Sequence, residues 1–131
     1  MQEIFNIIIE ITSVNEVNGN GVTVKMISFK GRCQGRYFNG EIMDGGVDTQ
    51  FISEKEGGNV SARYMMKGVD NKLNPCKVFI ENEGAVNSQG DMKTIPRIVT
   101  DSAELSWLQD KNLYGSVAVE NDNKLHVRIY V

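Results

Sequence analysis

The stretch "NVSARYMMKG", Asn59 to Gly68, separates its residues into two faces. Val60, Ala62, Tyr64 and Met66 fall on one side, and Ser61, Arg63, Met65 and Lys67 on the other. That period of two belongs to an extended strand, since a helix would scatter the same apolar residues around its axis. "YMM" is nevertheless apolar on both faces. Either the outer face of this strand is covered, or Arg63 looks into a partly polar interior.

The same period runs along nearly the whole chain. In "EIFNIIIEIT", Phe5, Ile7, Ile9 and Ile11 share a face. "NGNG", Asn18 to Gly21, reads as a hairpin turn, because Asn and Gly accept positive φ. "VTVKMISFKG", "RYFNGEIM" (interrupted at Gly40) and "VDTQFISEK" read as further strands. "PCKVFIENEG" sets Cys76, Val78 and Ile80 against Lys77, Phe79 and Glu81. "NLYGSVAVE", the turn "NDN" and "KLHVRIYV" make a terminal hairpin, with Leu125, Val127, Ile129 and Val131 on one side. Pro75 and Pro96 sit where a missing N–H is cheapest.

One segment resists a strand reading. "DSAELSWLQD" offers Asp101 or Ser102 as N-cap, and Glu104 three residues after Asp101 as in a capping box, which predicts one or two helical turns. Many short antiparallel strands with one short helix predict an all-β, single-domain protein over residues 1–131. The expected form is a closed, up-and-down antiparallel β-barrel of about eight to ten strands. Closure removes exposed edges.

Composition narrows the functions. The chain of 131 residues carries a formal charge of −3 and no extended basic cluster, which argues against a nucleic-acid or anionic-membrane surface. A single histidine nearly excludes a His/Cys zinc site, so no metal or cofactor is expected. Cys33 and Cys76 show no CxxC spacing and read as free buried thiols. The N-terminus lacks a basic start and a cleavage site and carries Glu3 and Glu10, which predicts a cytoplasmic protein. The two-sided apolar segments "IIIEI" and "YMM" predict a homodimer, with Ile8 and Met65 as the covered outer residues.

"GEIMDGGVD", then "VSARYMMKGVDNK…VFIENEG", then "TIPRIVTDSAELSWL" and a final "LHVRIYV" together resemble an uncharacterised bacterial and fungal family. It is uncharacterised protein family three-one-one, or domain of unknown function three-two-three-seven. The resemblance covers about Phe29 to the C-terminus and implies a small calycin-like (lipocalin-like) barrel with a lumen and no established activity. Thr49 stands where members often carry an aromatic residue, Asn71 where a glycine is common, and the loop around "NSQGDMK" is short.

In "GEIMDGGVD" the plain reading of Asp44, Gly45 and Gly46 is a hairpin connection with glycines at positive φ. The functional reading is a mouth loop whose backbone approaches a ligand. Asp48, one step on, is either a solvated acid or a carboxyl at the lumen entrance with its pKa raised by partial burial; the resemblance favours the second. An inward Arg63 would need a carboxylate, from Asp48 or Glu81, because an unpaired buried guanidinium costs several kcal/mol. Glu81 otherwise reads as exposed, Trp107 as a core or barrel-end plug, and His126 as outside any catalytic role. Candidate ligand contacts are therefore Asp48, Arg63, Tyr64, Glu81 and Trp107, with no catalytic residue assigned. The first functional expectation is a barrel binding one small, largely apolar molecule. An acid–base enzyme using Asp48 with Arg63, of isomerase or hydratase type, and a structural barrel with a filled interior are the alternatives.

Overall fold

The computed structural model describes residues 1–86 and 92–131. The "NSQGDMK" loop falls largely on 87–91, outside the described residues. The strands are β1 (Glu3–Asn18), β2 (Val22–Cys33), β3 (Phe38–Ile42), β4 (Val47–Ser53), β5 (Gly57–Asp70), β6 (Pro75–Val86), β7 (Met92–Thr100), β8 (Tyr114–Asn121) and β9 (Lys124–Tyr130). Every pairing is antiparallel, and β1 pairs with both β2 and β9, which closes the sheet. β3 and β4 both lie between β2 and β5. The nine strands thus fill eight positions of one up-and-down barrel.

That shared position corrects the hairpin reading of "GEIMDGGVD". The chain does not reverse there. Ile42 faces Met66 of β5 and Val47 faces Arg63, so the four residues 43–46 stand opposite only two, 64 and 65. The segment is a wide bulge in one long strand, and Gly45 takes φ +102° within it. Its excess of two residues keeps the alternation in phase, so Asp48 still points inward. Gly40 does not interrupt β3 either. A side chain there would meet the Lys67 carbonyl oxygen at 2.6 Å and the Phe38 ring at 2.6 Å. Glycine is needed because that ring lies across it.

The inward faces follow the sequence reading. Phe5, Ile7, Tyr64, Met66, Val78, Ile80, Val127 and Ile129 form one buried core. Cys33 and Cys76 are free and buried. Burial pushes the Cys33 thiol up to about 12. One barrel end is sealed by the crossing between β7 and β8, where a 3-10 turn covers Ser106–Asp110 and Leu105 and Leu108 are fully buried. β7 pairs with β8 only over Met92–Thr94, so Pro96 has no β8 partner to disappoint.

The expected capping box does not form. Asp101 instead accepts the Lys77 N–H at 2.8 Å, and Glu104 pairs with Lys72 at 3.2 Å. The sealing segment is latched by Ser102, whose hydroxyl donates to Asp70 at 2.8 Å. Asp70 also accepts the N–H groups of Lys72 and Asn74 at 2.9 and 3.0 Å, which folds the β5–β6 turn. Burial acts to raise the Asp70 pKa, but the bonds from Ser102, Asn74 and Lys72 outweigh it and hold the carboxyl below its ordinary value. No helix among the described residues is long and apolar enough to cross a membrane.

Candidate functional site

Above the sealed end the barrel is not filled. A cavity of 170 Å³ occupies the other half of the lumen, walled by aliphatic and aromatic side chains such as Ile9, Phe29, Val117 and Val127. Val119 and Leu125 line it too, and Val119 is 60% exposed, which places the mouth at that end. A larger depression of 770 Å³ lies on the outer surface beside Phe51, Arg63 and Ile95. It is shallow and open to solvent, and we place the site in the lumen because of what the lumen wall contains.

Among the described residues, four that line this apolar space carry a buried side-chain oxygen without a hydrogen-bond partner: Asp48 Oδ1, Tyr64 Oη, Asn82 Oδ1 and Thr94 Oγ1. Buried polar groups are almost always paired, so four orphans around one cavity is unusual. Register explains how they meet. Asp48, Ala62 and Asn82 stand side by side on β4, β5 and β6. The small Ala62 leaves space between its two polar neighbours. Thr94 sits on β7 opposite Gly84 and Gly115. A side chain at Gly115 would come within 2.2 Å of the Thr94 hydroxyl and 3.4 Å of Asn82 Oδ1, so its absence keeps this corner open.

Asp48 is the most distinctive of the four. The Gln50 amide donates to Oδ2 at 3.0 Å, while Oδ1 is left bare. Loss of hydration raises the carboxyl pKa, and the Gln50 bond only partly offsets this. Tyr64 is packed edge-on against Phe29 with ring centroids 5.4 Å apart, and burial pushes its hydroxyl pKa up. In both groups burial works against the charged form.

The structure brings together Asp48 and Tyr64 of the expected contacts and leaves the other three outside. Arg63 faces outward with its side chain 62% exposed, and pairs with Glu81 at 3.0 Å. The expected carboxylate pairing is present, on the wrong side of the wall for a lumen role. Glu81 is not the exposed acid expected, since it is 21% exposed beneath the guanidinium. Trp107 is not a plug. It is 37% exposed and rests edge-on against Tyr37 at 6.2 Å, while Leu105 and Leu108 seal the barrel. His126 lies on the outer face between Asn6 and Glu120.

Gln50, Asn82 and Thr94 were missed, although a signal existed. Each continues an inward-facing alternation: Asn82 follows Cys76, Val78 and Ile80, and Gln50 follows Asp48. A polar residue at an inward position was the mark to look for.

Fold and cavity together define a small closed β-barrel with a polar-studded lumen. The profile of the family described as "Protein of unknown function (DUF3237)" matches residues 1–94, and the chain belongs to that family. A UPF0311 protein of Clostridium acetobutylicum is 25% identical over 118 residues, 86% of this chain. The chain spans 66% of that relative's length. A crystal structure of a protein with unknown function from the same organism superposes with TM-score 0.82 at 21% identity, covering 98% of this chain and 93% of that one. A beta-barrel like protein from Acinetobacter baumannii gives TM-score 0.75 at 15% identity, covering 98% and 92%. These structural likenesses concern the fold.

Proposed function

We propose that this barrel binds one small, largely apolar molecule in the upper half of its lumen. The carrying observation is that four residues lining one apolar cavity each carry a buried, unpartnered polar atom. Left unpaired, each such group destabilises the fold by about 1–3 kcal/mol. A ligand that supplies their partners recovers that energy. The volume of 170 Å³ is below the usual ligand pocket of about 300–1,000 Å³ and close to the ~150 Å³ apolar cavity that accepts benzene. The occupant is thus about one ring in size. A wholly filled structural barrel does not account for that space.

The raised Asp48 carboxyl also supports a second reading, acid–base chemistry on the same occupant. Arg63, facing outward, does not serve that chemistry as a partner.

Titrating benzene into isotope-labelled protein and following amide shifts tests the binding reading. Shifts centred on Ala62, Val117 and Val127 are expected. Shifts centred on Phe51 and Ile95, or none, contradict it.

A further inference from the structure

We propose that the lumen selects an uncharged, ring-sized molecule bearing a carbonyl oxygen, which Asp48 engages by donating a hydrogen bond from Oδ1. The inference rests on the binding reading above and specifies its ligand class.

The first argument is the asymmetry of the carboxyl. Gln50 donates to Oδ2 at 3.0 Å, so when the carboxyl is protonated Oδ2 is its acceptor oxygen. The proton then resides on Oδ1, which is buried and unpartnered on a side chain that lines the cavity. A bare hydroxyl of this kind needs an acceptor, and a carbonyl oxygen supplies one.

The second argument is the absence of positive charge. Among the described residues, the cavity wall contains two titratable groups, Asp48 and Tyr64. The nearest cations of the neighbouring strands are paired with acids, Lys25 across from Gln50 at the mouth and Arg63 on the outer wall. Lys25 of β2 is held by Glu16 at 3.6 Å, and Arg63 of β5 turns outward to Glu81 at 3.0 Å. The described residues of β1, β6, β7, β8 and β9 present only uncharged side chains to the cavity. A carboxylate ligand would enter an apolar space with no counter-ion beside an acidic group, which desolvation opposes strongly. The third argument is the second polar corner. The Tyr64 and Thr94 hydroxyls can each donate or accept, and Asn82 Oδ1 accepts. They suit a ligand with a further neutral polar group, and none of them requires charge.

Benzamide, benzoate and toluene share a ring and differ in the group that decides the matter. Their binding is compared by calorimetry in the wild type, Asp48→Asn and Asp48→Leu, with circular dichroism checking each fold. Benzamide is expected to bind at least about tenfold tighter than benzoate or toluene, the scale of one satisfied buried polar group. Its affinity should fall as pH rises through the raised Asp48 pKa, because ionised Asp48 loses its donor. Asp48→Asn keeps a donor and should bind benzamide without that pH dependence. Asp48→Leu should lose the preference for benzamide while still binding toluene. Benzoate binding as tightly as benzamide overturns the inference, and so does a preference that survives Asp48→Leu. If toluene binds best, the selectivity falls and the ring-sized cavity stands. If none of the three binds, the binding reading falls with it.

Discussion

Asp48 and its neighbours carry the strongest consequences at the scale of single residues. The folded protein raises the Asp48 pKa above its unfolded value. The stability this group contributes is therefore fully present below the ordinary carboxyl pKa of about 4, and is lost as pH rises through the raised value. Asp48→Asn should remove that loss. Above the window the variant should melt higher than the wild type, and the two should converge in acid. Melting curves across pH check this, and parallel curves would sink it. Thr94→Val makes a companion test. It replaces an unpartnered buried hydroxyl by a methyl group, so it should raise Tm while weakening any ligand that uses this corner. Gly115→Ala should do the opposite to stability. Its added carbon would lie 2.2 Å from the Thr94 hydroxyl and 3.1 Å from the Pro96 ring, and overpacking of this kind costs about 1–3 kcal/mol.

At the scale of elements, the β3–β4 bulge shows both the reach of the sequence and its end. The glycines of "GEIMDGGVD" marked an irregularity correctly, because only a permissive backbone adopts the +102° of Gly45. Whether that irregularity reverses the chain depends on partners that lie far off in sequence, β2 on one side and β5 on the other. Local chemistry does not contain that information. Alternation, by contrast, is local, and it placed Val60, Tyr64, Met66, Val78, Ile80 and Val127 inward as found. Arg63 follows the same alternation to the outer face, so the inward alternative that "YMM" suggests does not hold. Trp107 was misplaced for another reason: the sealing segment is a 3-10 turn anchored by Ser102 and Asp70, and its geometry turns Leu105 and Leu108 inward instead. Two glycines separate the kinds of constraint involved. Gly45→Ala meets no atom within 4 Å and should cost only the backbone term, about 1–2 kcal/mol. Gly40→Ala would press against a backbone oxygen at 2.6 Å and the Phe38 ring, and should cost clearly more. Denaturant unfolding of the pair ranks them, and equal losses would contradict the packing account.

For the whole molecule, the barrel divides into a sealed half that supplies the core and an open half that carries the polar ring. The outer wall presents Met26, Phe51, Met65, Ile95 and Val99 to solvent. The two-sided apolar pattern leads to the expectation of a homodimer, and sedimentation equilibrium decides it: a two-chain mass agrees, a clean monomer refutes it. Ile8 is only partly exposed, whereas Met65 is 40% exposed and remains available to such a contact. The central claim concerns the lumen, and its most direct measure is the titration of the Asp48 carboxyl carbon by NMR, alone and with benzamide present. The account predicts a midpoint above the ordinary value of about 4, raised further by benzamide, which binds the protonated form. A midpoint at or below the ordinary value, unmoved by benzamide, would contradict it.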